Sequence, residues 1–308
     1  MPELPEVETT VRALKKKIIG WKIADVWTDW AKYFKKPSGE KAFKECVSGE
    51  KIENVSRRGK NILISLSGGK ILLIHQKMSG HLLLGKWQKR SEAEAVDENW
   101  EKETWIPQPF EGYLIDSRNK YIHLIFFLKK GKEEQMMALS DTRKFAKVLC
   151  GEEEEILENV EAEVGVDPTK PDFSFDNFKE ALKGRRGRIK TVLMDQEVIS
   201  GVGNIYSDEI LWKAGIHPLT PADEISEGKL KKLYEALQEI LEKAIKLKGT
   251  SIDDYRTPRG KKGRYGEELL VYQKDREPCP KCGTEIERMK IGSRSARFCP
   301  KCQKLGYR

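Results

Sequence analysis

Four of the six cysteines stand as two C-x-x-C pairs, Cys279-Pro-Lys-Cys282 and Cys299-Pro-Lys-Cys302, with 16 residues (283–298) between them. No other feature restricts the fold of this chain as tightly. Each pair offers two thiolates at one turn, and the intervening segment is long enough for a hairpin, the spacing of a tetrahedral zinc site. No apolar leader follows Met1, so a cytosolic, reducing setting is expected, which favours a metal over two disulfides. Four thiolates leave zinc no open position, so one structural Zn2+ is expected that holds shape and does no chemistry. The remaining pair, Cys46 and Cys150, is read as two ordinary buried thiols.

The charge is unevenly spread. Of the net +8, residues 255–308 carry +9 (15 Lys/Arg against 6 Asp/Glu), which leaves residues 1–254 at −1. A basic C-terminal end suits a polyanion such as nucleic acid, and charge alone does not separate that reading from a solubilising tail. With 38% hydrophobic and 34% charged residues, and no apolar run long enough to span a bilayer, a membrane protein is excluded as an expectation. At 308 residues the chain has room for two compact units and a small appendage.

Apolar residues recur at Leu4, Val7, Val11, Leu14 and Ile18, one face of a helix, with Pro5 in its first turn and Glu6 and Glu8 near its positive end. From Ile52 to Leu84 the pattern becomes that of short strands, with a hairpin turning at Ser67-Gly68-Gly69. A polar, Trp-bearing stretch from Lys86 to Glu111 reads as a loop or insertion, after which strands resume as far as Cys150. The acidic, proline-containing run beginning at Gly151 reads as a connection, and helical periodicity then continues to Gly249. The predicted organisation is α+β. Residues 1–150 form a β-sandwich with flanking helices, 151–172 a linker, 173–268 a helical domain and 269–308 the zinc finger.

Four segments offer chemistry. Met before a small residue is readily removed, which exposes the secondary amine of Pro2, a competent nucleophile near neutral pH that condenses with an aldehyde-level carbon to an iminium. Glu3 beside it is a candidate proton donor. "SGVGN" runs a glycine-rich turn into a helix opened by Asn204, a ready phosphate site. "HQKMSG" places Met78 in a loop, and "DTRKF" places Arg143 and Phe145 two apart. Such side chains can wedge into a base stack or read a base edge. Each segment alone has a plainer reading, as a helix start, an N-cap, core packing or surface charge.

Together, in this order, they resemble one family. "PELPEVE", "RRGK" at Arg57–Lys60, "HQKMSG", "DTRKF", "LMDQEVISGVGNIYSDEILWKAGIHP" and "RSARFCPKCQ" span nearly the whole chain and are similar to formamidopyrimidine-DNA glycosylase. The resemblance implies a β-sandwich domain, then a domain with a helix–two-turns–helix element and a zinc finger, with duplex DNA as partner. It assigns Pro2 as Schiff-base nucleophile, Glu3 as proton donor and Lys60 as the lysine near the lesion phosphates. Asn204 and Arg294 become phosphate contacts, and Met78, Arg143 and Phe145 fill the gap left by an everted nucleotide. The implied activity is excision of oxidised purines (8-oxoguanine, formamidopyrimidines) followed by β,δ-elimination, in a cytoplasmic, nucleoid-associated monomer. Ala146 stands where the family commonly has Gly, and "HQK" replaces its usual "HL" plus one residue. The "RTPRGKKGRYG" loop differs enough that no base-capping residue is assigned. An endonuclease VIII-like enzyme for oxidised pyrimidines shares Pro2, Glu3 and the two-turn element, but the Met78, Arg143 and Phe145 set favours the purine enzyme. A non-catalytic damage binder would have no use for Pro2, Glu3 and Lys60, and a zinc-ribbon RNA binder would leave the whole N-terminal constellation without purpose.

Overall fold

The computed structural model describes residues 1–90, 100 and 104–305. They divide into two units, Met1–Val160 with Leu247–Gly266, and Glu161–Lys246 with Glu267–Arg308.

The first unit opens with α1 (Leu4–Ile18), whose buried stripe is the one legible in its periodicity. Then follow β1 (Lys22–Thr28), β2 (Phe34–Lys36), α2 (Glu40–Val47), β3 (Ile52–Arg58), β4 (Asn61–Leu66), β5 (Lys70–His75) and β6 (His81–Gly85). β7 (Trp87–Lys89) and β8 (Trp105–Pro107) precede β9 (Ile122–Lys130), β10 (Glu133–Ser140) and β11 (Lys147–Glu152). Two sheets result, ordered β1-β9-β10-β6 and β2-β11-β5-β4-β3. They face each other across one core. Val26, Phe126 and Leu139 from the first sheet meet Ile64, Ile74 and Val148 from the second, closed by Leu14 of α1 and Phe43 of α2. Alternation along the strands sends these residues inward, which makes a sandwich with helices against it.

Cys46 of α2 and Cys150 of β11 form a disulfide across 104 residues, so they are not separate thiols. Sequence distance concealed the pair because α2 packs on the β11 edge of the core. The Lys86–Glu111 stretch is not simply loop: β7 and β8 pair antiparallel, and Trp105 meets Trp27 edge-on at 5.3 Å. Residues 91–99 and 101–103 of that stretch lie outside the described residues.

α3 (Glu153–Glu163) occupies much of the acidic run expected to be a connection, with Glu153, Glu154 and Glu155 at its positive end. In the second unit, α4 (Phe175–Leu182), α5 (Ile189–Met194), α6 (Asn204–Ala214) and α7 (Glu227–Lys246) are followed by the hairpin β12 (Glu287–Ile291) and β13 (Arg294–Phe298). Trp212 of α6 lies against the cysteine cluster and donates to Cys279 Sγ at 3.4 Å.

Candidate active site and nucleic-acid interface

The N-terminus is held by a carboxylate three residues along. Glu3 caps α1, and its N–H donates to Glu6 Oε2 at 2.8 Å. The other oxygen of Glu6 accepts the N–H of Thr250 at 2.6 Å, and Tyr255 Oη donates to the Glu6 carbonyl at 3.2 Å. Glu3 and Glu6 are buried at 2% and 1% exposure, and Pro2 is buried beside them. Gly249 lies so close that a Cβ would stand 2.6 Å from Glu6 Oε1, and its φ of +78° is a left-handed value. Only glycine fits there. Burial holds the Tyr255 phenol well above its ordinary range, with the Glu6 charge adding to the shift. From sequence, Glu6 stands out only as a charge at the helix end. The signal that could have found its second role is the Glu–x–x–Glu capping pattern at the helix start.

Lys60 sits in the β3–β4 turn after Gly59, buried at 7% exposure. Arg57, just before it, pairs with Glu8 of α1 at 2.8 Å and donates to the Gly59 carbonyl. That pair brings the turn to the N-terminal half of α1. Burial alone would raise the Glu8 carboxyl, but Arg57 and Arg12 outweigh it and hold the group below its usual range. His75, opposite Asn61 in the sheet, is pushed down to about 3 by burial and then by the charges of Lys77, Lys60 and Lys147. It is therefore a neutral imidazole close to Lys60, and its Nδ1 accepts the Lys77 N–H at 3.0 Å.

Met78 and the Arg143/Phe145 pair lie on adjacent crossovers of the sandwich. Residues 76–80 lead from β5 to β6, and residues 141–146 from β10 to β11. β5 pairs with β11 in one sheet and β6 with β10 in the other, so the two loops leave and enter side by side. Phe145 is 51% exposed, with the exposed Arg143 guanidinium 4.8 Å over its ring. Met78 is half-buried. Gln76 is 1% exposed, and neither atom of its amide has a hydrogen-bond partner among the described residues.

In the second unit, α6 begins where two turns end. Gln196 closes them: its Nε2 donates to Met194 and Val202 carbonyls, and its Oε1 accepts the Gly201 N–H. Asn204 is the first residue of α6, and its Oδ1 is buried with no partner among the described residues. Lys190 Nζ ties α5 to this first turn through Ser207 Oγ at 3.1 Å and Asp208 Oδ1 at 2.6 Å. Asp208 Oδ2 accepts the N–H of Arg297 in β13, and Glu209 accepts the N–H groups of Leu270, Val271 and Tyr272. Consecutive carboxylates on α6 thus hold the finger. Burial pushes Asp208 up to about 7, against the pull of Lys190. Neither carboxylate was singled out in the sequence, because a surface Asp-Glu in a helix looks the same. Arg294 is exposed at the start of β13, just past the Gly292 turn.

The sulfurs of Cys279, Cys282, Cys299 and Cys302 all lie within 4.8 Å of one another, with 4.0 Å between Cys279 and Cys302 and 3.5 Å between Cys282 and Cys299. Zn–S bonds of about 2.3 Å in a tetrahedron place sulfurs about 3.8 Å apart, so the four residues fit the ion.

Residues 1–148 match the formamidopyrimidine-DNA glycosylase N-terminal domain, 164–256 the H2TH domain of the same enzyme, and 276–305 a zinc finger found in FPG and IleRS. This chain belongs to the formamidopyrimidine-DNA glycosylase family. A family member from Heliobacterium modesticaldum is 35% identical over 305 residues, covering 99% of this chain and all of the relative. Another from Chloroflexus aggregans is 36% identical over 306 residues, covering 99% of each. Among solved structures, Lactococcus lactis Fpg in complex with DNA containing an abasic site is similar at a TM-score of 0.80 and 32% identity. That match covers 98% of this chain and all of that one. The same enzyme with Fapy-dG-containing DNA matches equally, at 0.80 and 32%. The zinc finger of this glycosylase family member is accordingly a structural Zn2+ site of four cysteines.

Proposed function

We propose that Pro2, freed of Met1, is the nucleophile of a base-excision reaction on oxidised purines in duplex DNA. The chain is a DNA glycosylase and AP lyase of base excision repair, as its family is. One observation carries the assignment of the nucleophile: behind an exposed Met1, Pro2 and Glu3 are buried, and Glu3 is fixed by the two-sided grip of Glu6 on it and on Thr250. A chain end ordered that strongly is the exception, since termini are normally mobile.

The steps follow from the groups present. The lesion is flipped out of the stack, at a cost lowest for a damaged base. The Pro2 amine attacks C1′, the damaged base departs with the bond electrons, and an iminium joins protein to sugar. Glu3 supplies the proton that the opening sugar oxygen takes up, and Lys60, on its buried turn, serves the lesion phosphates and later proton transfers. Loss of the C2′ proton from the iminium expels the 3′ phosphate, and a second elimination expels the 5′ phosphate. Met78, Arg143 and Phe145 fill the vacated stack. Asn204, whose side-chain NH2 adds a donor beside the helix N-terminus, and the exposed Arg294 hold phosphates on the second unit. The bound zinc supplies folding stability to the finger and no chemistry.

The preference for 8-oxoguanine and formamidopyrimidines over oxidised pyrimidines rests on the wedge residues and on the three family matches, which favour this reading over the endonuclease VIII-like one. DNA is the partner. The protein acts as a cytoplasmic monomer in this reading; among the described residues no helix is long and apolar enough to cross a membrane. The test is borohydride trapping on abasic duplex combined with mass spectrometry of the N-terminus. A covalent adduct mapping to Pro2 is expected. Active enzyme that retains Met1, or that gives no adduct, would overturn the assignment.

A further inference from the structure

We propose that Asp141, acting through Ser79, is a positioning residue that locks the two wedge loops into one rigid body. Asp141 is fully buried at the start of the second crossover, and its carboxylate accepts from three separate pieces of chain. Oδ1 takes the Ser79 hydroxyl, while Oδ2 takes the Ala146 N–H at 2.9 Å and the Tyr33 hydroxyl at 3.2 Å. Its backbone is committed as well, donating to Tyr121 and accepting from Lys144. Ser79, itself 1% exposed, completes the link: its Oγ accepts the Arg143 N–H at 3.0 Å while donating to Asp141. An unbroken path therefore runs from the residue after Met78, through one hydroxyl, to both ends of the segment that carries Arg143 and Phe145.

The surroundings fit a bridge that fixes geometry. Each crossover reverses through a lysine in the left-handed region, Lys77 at φ 53° and Lys144 at φ 54°. A non-glycine residue holds such a conformation only where its neighbours impose it. The Lys144 side chain is drawn back to Asp29 at 3.4 Å and over the Trp30 ring at 5.1 Å, which leaves Arg143 and Phe145 outermost. A carboxylate has the lone pairs to receive three donors at once. An amide does not, so Asn at this position would either set its NH2 against the Ala146 N–H or turn it to Ser79 Oγ, where the hydroxyl could no longer donate to it.

Two wedges that must enter one gap in a duplex lose effectiveness when their spacing drifts, whereas the chemistry at Pro2 is indifferent to that spacing. The inference rests on the wedge reading above, and its test separates the two. Full-length Ser79→Ala and Asp141→Asn are assayed for single-turnover excision from a lesion-bearing duplex. The same variants are assayed for borohydride trapping on a single-stranded abasic oligonucleotide, where no stack needs filling. Duplex excision is expected to fall about 10- to 100-fold, the scale set by misplacement of about an ångström, with single-strand trapping unchanged. A 2-aminopurine placed beside the lesion should lose its wedge-dependent fluorescence change in parallel. If Ser79→Ala leaves duplex excision intact, or lowers both substrates equally, the bridge has no positioning role and the proposal is overturned. If instead Met78→Ala and Phe145→Ala leave duplex excision unaltered, the wedge reading fails, and the inference falls with it for that separate reason.

Discussion

Replacing Glu6 by Gln keeps the side-chain volume and changes only what its two terminal atoms can accept. In the native chain both oxygens take backbone N–H groups, Glu3 at 2.8 Å and Thr250 at 2.6 Å, in a site 1% exposed. Gln can satisfy one of them. The other N–H then faces an NH2 group, so one charge-assisted bond worth about 1.5–3 kcal/mol is lost and a buried donor is orphaned. These overlap, and a net loss of about 2–4 kcal/mol is expected. For a domain of this size each kcal/mol lowers Tm by roughly 2–4 °C, so Tm should drop roughly 5–15 °C. Tryptophan fluorescence is the suitable monitor, since six of the seven Trp residues (all but Trp212) lie in the first unit. Because Glu6 also fixes the residue next to Pro2, borohydride trapping measured well below the new Tm should fall about 100-fold. Glu6→Gln protein with native Tm and native trapping would show that the grip on the N-terminus does not order it.

Gln76→Leu removes from a strand end a buried amide that has no partner among the described residues, and should raise stability by about 1–3 kcal/mol in urea titrations. A loss of stability would mean the amide is satisfied in solution. His75 stays neutral when folded, down to about 3, but protonates near its ordinary value when unfolded. Between those values the unfolded chain binds the extra proton, so stability should fall as pH drops below about 6.5, at up to about 1.4 kcal/mol per pH unit. His75→Gln should flatten that acid limb in urea titrations at pH 5 and 7, and an unchanged limb would contradict the shift. The Cys46–Cys150 bond closes 104 residues, so reduction should cost the first unit about 2–4 kcal/mol. Thiol titration of the denatured, zinc-stripped protein should find four free thiols, and six would refute the bond. Chelation of zinc should release the finger and weaken binding to undamaged duplex, while trapping of an abasic sugar at Pro2 persists at saturating DNA; unchanged duplex affinity would deny the finger its part in binding.

The local elements were legible wherever one face of one element carried the pattern. The α1 stripe from Leu4 to Ile18, the β4–β5 hairpin at Ser67-Gly68-Gly69 and the C-x-x-C pairs all declare themselves within a few residues. The short edge strand β2 and the small α2 carried no comparable signal, nor did the β7–β8 ribbon within a polar stretch. The candidate residues were legible too, because Pro2, Lys60, Met78, Arg143, Phe145, Asn204 and Arg294 sit in motifs with distinctive neighbours. Their supports were not. Asp141 and Ser79 stand within quoted motifs and yet look like ordinary loop residues until β5–β6 and β10–β11 are laid side by side.

What the sequence alone determined, then, is which groups are candidates for chemistry: residue type and short spacing mark out a secondary amine behind Met1, a metal set and the candidate wedge side chains, all properties of a few adjacent atoms. Tertiary structure decided what holds those groups in place. Glu6 meets Thr250 across 244 residues, Cys46 meets Cys150 across 104, and Asp141 meets Tyr33 across 108. A polar side chain has no fixed meaning until folding chooses its partners. Burial then turns a common carboxylate into a strong anchor, because removing its partners would leave it without water to replace them.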